Sequence, residues 1–206
     1  TAGILYARQG FDSISTRRIT SVAGVNLAAI AYYFGGKDGL QQAVIDHVVA
    51  HSNEHIGRIF AELDMAIDGA DGDRELLAEA TTRFGSDFLQ TCLPLDLQTW
   101  WVAVITRALG LLSPGEEKIY EMVFLPCHRV VRKLVEAATG QQNFEHVGIV
   151  TEALVGDFLM ICRNQPIALR SLGWENFTPE RIEQVVTVVT NRMLGRLKLA
   201  TAVAAE

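Results

Sequence analysis

The sequence predicts an all-α protein, and three observations lead there. Apolar residues recur at spacings of three and four rather than two. The breaks in that pattern fall at Gly and Pro clusters. Alternating apolar and polar runs, the mark of a half-buried strand, are scarce. A chain of 206 residues that is 49% hydrophobic and 20% charged, with 5 prolines, can bury a sizeable core and lacks the composition of a disordered or fibrous protein.

The first helix carries Ile4, Leu5 and Ala7 and stops at Gly10, after which Phe11 and Ile14 fold back as core anchors. Beginning at Thr1, it has barely two turns where a first packing helix needs three or four, so further residues, a basic arm among them, are expected upstream. Ser15 or Thr16 caps the next helix, which points Ile19, Val22 and Ala23 inward and holds Thr16, Arg17 and Arg18 in its first turn. Ala23-Gly24-Val25 makes a tight turn with the glycine at positive φ and the valine plugging the core, and Asn26 caps a further helix. On that helix Ile30 and Phe34 face inward, leaving Leu27, Ala28, Ala29, Ala31, Tyr32 and Tyr33 on the other faces. Helix, short glycine turn, helix is the unit that reads DNA. Gly35-Gly36 closes it, and Lys37 opens a longer helix through Leu40, Val44, Ile45 and Val48 towards Met65.

Two arginines in a first turn oppose the helix dipole at a cost of a few tenths to about 1 kcal/mol. A phosphate or base edge offsets that cost; solvated surface arginines are the other reading. Alanines allow the following helix deep into a major groove and against a thymine methyl, tyrosines bond phosphates or bases, and Lys37 is a natural phosphate clamp. The competing reading is a buried alanine-rich helix. The net charge of −6 argues against a nucleic-acid partner only as a sum. Residues 1–48 set Arg8, Arg17, Arg18 and Lys37 against Asp12, Asp38 and Asp46, a net of +1 that leaves −7 for the remainder. FGGKDG is not a phosphate loop, because Ala31 stands where the first glycine is required and Asp38 where Ser or Thr must follow the lysine.

The strings STRRITSVAGVN and AYYFGGKDGL closely resemble the DNA-binding domain of the TetR family of repressors, over residues 2–48. The resemblance implies that Thr16, Tyr32 and Lys37 contact phosphates and that Arg17 and the exposed face from Leu27 to Tyr33 read bases. The chain departs from the family pattern at Ala31, where a tyrosine or polar residue is common, and at Tyr33, where histidine is frequent. NLAAIAYYFGGKDGL and the downstream VGDFLMICRNQPIALRSLGW also resemble the CecR-type branch of that family.

Downstream, Gly and Asp near residues 68–73 precede a helix from Arg74 to Thr91 with Leu77, Phe84, Phe88 and Leu89 inward, and Pro94 ends it. Trp100, Trp101, Val104, Ile105 and Leu109 form a helix apolar almost all round, a buried element or a cavity wall. Ser113-Pro114 starts another, running through Leu134 and kinked at Pro126. Phe84, Phe88, Trp100, Trp101, Met122, Phe124 and Met160 are candidates to line an apolar ligand pocket, with Arg107 and His128 to orient the ligand; ordinary core is the alternative for each.

Helices near 145–162 and 179–199 complete the chain, and Thr178-Pro179 with Glu180 marks the start of the last. The family resemblance makes this pair the dimer interface, through Val155 and Leu159 on one and Ile182, Val185, Val186, Val189 and Met193 on the other. A two-fold partner would bury so continuous a stripe against its own copy.

Cys92, Cys127 and Cys162 are odd in number and widely spaced in apolar settings, which suits reduced thiols in the cytoplasm and no zinc site. No apolar run reaches the length of a membrane helix. His47, His51 and His55 recur every four residues, a spacing able to hold a divalent metal; without a second acidic cluster they read as a solvated or interdomain face. GxSxG, HExxH and dinucleotide fingerprints are absent, so no catalytic residue, metal or cofactor is assigned.

The expectation is a three-helix helix-turn-helix domain over 1–48 and a helical ligand-binding and dimerisation domain over 49–206. Its function would be to repress transcription as a homodimer on a palindromic operator, double-stranded DNA being released when a small apolar or amphipathic effector shifts the long helix as a lever. Arg18, Asn26, Ala28 and Ala29 complete the candidate DNA surface. The alternative is a helical ligand-binding protein with weak or lost DNA binding.

Overall fold

A computed structural model describes residues 1–93, 100–108 and 115–199. Every regular element among the described residues is helical. The expected stop at Pro94, Leu109 and the Ser113-Pro114 cap lie outside the described residues. The chain divides into two compact units, Thr1–Glu54 with Leu95–Val123, and His55–Pro94 with Phe124–Glu206. This differs from a simple cut at residue 48: the segment containing Trp100 and Trp101 packs with the N-terminal helices, because Gly3 gives the Trp100 ring a place to lie.

The first unit holds α1 (Ala2–Gln9), α2 (Thr16–Ala23), α3 (Leu27–Phe34), the opening turns of α4 (Lys37–Ala70), α6 (Trp100–Ala108) and α7 (Glu116–Ile119). Gly10 stops α1 at φ 85°, its N–H donating to the Tyr6 carbonyl at 2.8 Å. The chain then folds back as expected, with Tyr6 and Phe11 ring centroids 4.6 Å apart and Ile14 buried. A methyl on Gly3 would stand 2.1 Å from Trp100, so a bare backbone is what lets α1 lie on α6. His47 stacks on the same indole at 5.9 Å, and Lys118 pairs with Asp46 at 2.7 Å.

Inside this unit Ile19, Thr20, Ile30, Leu40, Val44 and Ile45 are buried. Val22, Ala23, Val25 and Phe34, expected inward, are exposed, the valine at the turn by 52%. The reason is geometric. Two eight-residue helices have too little length to enclose every apolar side chain, so Ala23, Val25 and Phe34 form the rim of an open apolar groove of about 500 Å³ that Ala2, Leu40 and Val44 continue.

The second unit contains the remainder of α4, then α5 (Arg74–Cys92), α8 (Leu125–Thr139), α9 (Phe144–Arg163), α10 (Gln165–Leu172) and α11 (Pro179–Arg196). Side-chain caps start three of these: Asp73 accepts from the Glu75 and Leu76 amides, Asn143 from His146, and Thr178 from Arg181. Helix α5 lies against α11 and α8 against α9. Gly85 lets α11 come close, since a Cβ there would meet the Thr190 methyl at 2.4 Å. Phe60, Phe84, Phe88 and Phe158 form one aromatic cluster, with Phe158 edge-on to Phe84 and Phe88 at 5.7 and 5.3 Å. Lys133 clamps Asp64 and Asp68 of α4 at 2.7 and 2.8 Å, and Gln165 donates to the buried Cys92 carbonyl.

At the position of the expected kink the helix changes type. Tyr120–Phe124 is a π turn leading into α8, with the proline in the first turn of that helix. Proline has no N–H for the α ladder, and widening the preceding turn accommodates the missing bond.

The last helix corrects the expected dimer stripe. Ile182, Val186, Val189 and Met193 are buried within the chain because α5 already covers the stripe on α11, and Val155 is buried on α9, which packs mainly against α8. Of the expected interface residues only Leu159 and Val185 retain partial exposure. The large apolar side chains left outward on these helices are Phe144, Ile149, Met160 and Val188.

Candidate nucleic-acid interface

Three short segments build the candidate surface. Ser15, in extended backbone, accepts the Arg18 amide at 3.2 Å and starts α2. Thr20 turns its hydroxyl back to the Thr16 and Arg17 carbonyls, so its methyl rather than its polar group meets the core. Gly24 closes α2 in the left-handed region at φ 69°, a conformation that favours glycine. Asn26 then caps α3 through the Ala28 amide at 2.9 Å.

The two helices leave most of the candidate side chains outward. Arg17 and Arg18 are exposed on the first turn of α2, Thr16 is half-buried beside them, and neither α2 nor α3 has an acidic residue in its first turn. Both amino termini therefore keep their partial positive charge available to phosphate. On α3 Leu27, Ala28, Ala31, Tyr32 and Tyr33 are exposed and Ala29 is half-buried, while Ile30 anchors the helix inward. Tyr32 and Tyr33 are 82% and 74% exposed, with rings in an edge-to-face contact at 4.9 Å. Tyr33 also lines the apolar groove between these helices and α4.

Lys37 follows at the start of α4, half-buried, with Asp38 next to it. A positioning residue here escaped the sequence reading. A methyl on Gly39 would sit 1.7 Å from the Phe34 carbonyl oxygen, so this glycine sets how closely the end of α3 meets α4. The signal was present in GGKDG, but three glycines in five residues read as a helix stop rather than as a close backbone approach.

The candidate ligand residues are less united than expected. Trp100, Trp101, Arg107 and Met122 belong to the first unit; Phe84, Phe88, Phe124, His128 and Met160 belong to the second. Met122 and Met160 face solvent, and exposed Arg107 donates to the Arg8 carbonyl at 3.3 Å, so these three do not line an enclosed space. Phe60 and Phe158, which the sequence reading passed over, complete the cluster around Phe84 and Phe88. Helical spacing could not find them, since it shows which face is inward but not which helices meet. His128 bonds the Phe124 carbonyl at 2.8 Å and Glu152 at 3.1 Å. A recess beside Phe84, lined also by Ile59, Leu63 and Ala80, measures about 50 Å³. Effector sites are typically about 300–1,000 Å³, so the aromatic rings would have to part to admit one.

The cysteines are reduced and buried. Burial pushes the Cys127 thiol up to about 12. Contact with the Cys162 thiol, together with burial, raises Cys92 well above its ordinary value.

An all-helical chain that opens on a capped helix-turn-helix with an exposed alanine and tyrosine face belongs to the class of helix-turn-helix DNA-binding regulators. Comparison with known proteins narrows the class. Residues 1–44 match the model of the tetR family of bacterial regulatory proteins, and residues 77–197 match that of the C-terminal domain of the HTH-type transcriptional dual regulator CecR. The CecR regulator of Shigella flexneri is 27% identical over 177 residues, covering 85% of this chain and 79% of that protein. The fold is also that of the TetR family regulator PfmR from Thermus thermophilus, with a TM-score of 0.57, 15% identity, and 94% of each chain covered. A TetR-like regulator from a Rhodococcus species aligns with a TM-score of 0.59 at 16% identity, covering 94% of this chain and 92% of that one. The chain belongs to the TetR family of transcriptional regulators, in its CecR-type branch. Among the described residues no helix is long and apolar enough to cross a membrane.

Proposed function

We propose that the protein is a repressor that binds a palindromic operator as a homodimer, with α3 in the major groove of each half-site. The observation that carries this reading is the outward face of α3: Ala28, Ala31, Tyr32 and Tyr33 lie in solvent on a helix whose amino terminus has no acidic neighbour. Small side chains permit close approach to base edges, and the two phenols supply hydrogen bonds at the groove wall. Arg17 and Arg18 sit on the preceding helix, where a base edge or phosphate offsets their conflict with the dipole, and Lys37 adds a further phosphate contact.

With only +1 on residues 1–48, electrostatics contributes modestly to affinity and pairing of two half-sites contributes much of it. Dimerisation then uses the outer faces of α9 and α11, where Leu159, Val185 and Val188 remain open, rather than the buried stripe. The effector is a small apolar or amphipathic molecule that parts the Phe60, Phe84, Phe88 and Phe158 cluster, and His128, which bonds Glu152, is the candidate polar contact in the same unit. Helix α4 runs from Lys37 through Phe60, so one rod connects the DNA contact to the aromatic cluster and carries the release signal.

The deciding experiment measures binding to a palindromic duplex selected from a random library, at several salt concentrations. A two-to-one protein to duplex stoichiometry, with a far higher affinity for the selected duplex than for random ones and only a shallow fall as salt rises, supports the reading. Equal affinity for selected and random duplexes would remove operator recognition from it.

A further inference from the structure

The sequence His51-Ser52-Asn53-Glu54-His55 lies on one turn of α4, an unbroken helix. Residues three and four apart share a face there, so the two imidazoles and the carboxylate between them project together. The ligating atoms of His51, Glu54 and His55 all lie within 4.8 Å of one another. We infer that these three side chains form a binding site for a divalent transition-metal ion of the zinc type, two imidazole nitrogens and one carboxylate oxygen supplying three of four tetrahedral ligands.

The chemistry suits that ion and not the harder alkaline-earth ones. Imidazole is a borderline donor that prefers zinc, copper and nickel, whereas magnesium and calcium take oxygen. With bonds of about 2.0–2.1 Å, tetrahedral zinc holds its ligand atoms about 3.3 Å apart. Side-chain torsions can close the remaining distance without moving the helix, because Glu54 and His55 are exposed. The ring of His51 meets Trp101 edge-on at 5.5 Å, which limits the orientations that ring must lose on binding. His47 is not part of the site: its ring stacks on Trp100 as well as on His51. Equal spacing of the three histidines suggests equal partners, but Glu54 takes the third place.

The ion would act as a staple across one helical turn, independent of any DNA or effector. The test uses the full chain, free of any affinity tag, in chelator-free buffer, with zinc chloride competing against a chromophoric indicator. One zinc per chain is expected. His51→Ala and His55→Ala should each weaken binding at least about tenfold, as loss of one of three ligands does. Magnesium should leave the zinc affinity unchanged, and so should His146→Ala on the exposed start of α9. Circular dichroism of each variant establishes that its helices are retained. Amide exchange over residues 51–59 should slow with zinc in the parent chain and not in His55→Ala. No binding at about 100 µM zinc would overturn the site, and so would equal zinc affinity in the parent and His55→Ala.

Discussion

At the scale of single residues, Lys37 and Arg17 separate two kinds of DNA contact. If Lys37 holds a phosphate, Lys37→Ala weakens binding to all duplexes about equally and lowers the salt slope by about one. Fluorescence anisotropy across a salt series reads both quantities. If Arg17 reaches a base, Arg17→Ala alters the preferred sequence more than the overall affinity, which a repeated selection from a random library would reveal. Cys127 offers a test of the second unit. Its thiol titrates near 12 in the fold against about 9 when free, so at pH 8 the native protein holds about a thousandfold less thiolate there and resists alkylation. The sign for stability follows from proton counting. Above pH 9 the unfolded chain sheds this proton while the folded chain keeps it, so the unfolded state binds fewer protons and stability falls as pH rises from 9 towards 12. The gap between denaturation midpoints at pH 8 and pH 10 should narrow when Cys127→Ala removes this group, and part of it should persist because Cys92 is raised as well.

Among elements, helix ends and close approaches decide the outcome. Asp73 satisfies two amides at the start of α5, and Asp73→Ala should cost about 1 kcal/mol, read as a lower denaturant midpoint at constant slope. Gly39→Ala is a harsher change, since its new methyl would overlap the Phe34 carbonyl, a backbone atom that cannot swing aside. A loss of about 1–3 kcal/mol is expected, together with weaker DNA binding, because α3 must tilt relative to α4. The boundaries of α2, α3 and α5 were legible in the sequence because Ser15, Asn26, Gly24 and the Asp73 region are local signals acting on their own backbone. The close approach at Gly39 was not, since it depends on where a carbonyl five residues earlier ends up.

Over the whole molecule, the arrangement of helices reassigns apolar surface. Val188 and Val189 are neighbours in sequence, yet the first is 61% exposed and the second buried against α5. Val188→Glu should therefore shift a dimer towards monomer in sedimentation while keeping helicity, whereas Val189→Glu buries a charge in the core and should unfold the second unit. Retention of the dimer in Val188→Glu would move the interface away from this face of α11. The stripe read from the sequence as a partner surface was real as a periodicity. What it faced was α5, and nothing in its spacing distinguishes an internal neighbour from a second copy.

The sequence by itself determined the all-helical class, the helix-turn-helix at residues 16–34, its exposed alanine and tyrosine face, and the family to which the chain belongs. These depend on backbone capping, glycine conformation and a period of 3.6, all of which act over a few residues. Only the tertiary structure decided that the Trp100 helix packs with the N-terminal unit, that Phe60 and Phe158 join Phe84, that Met122 and Met160 face water, and that the stripe on α11 is core. The reason is that hydrophobic burial has no direction of its own: a pattern specifies that a face must be covered, and the packed chain specifies by what.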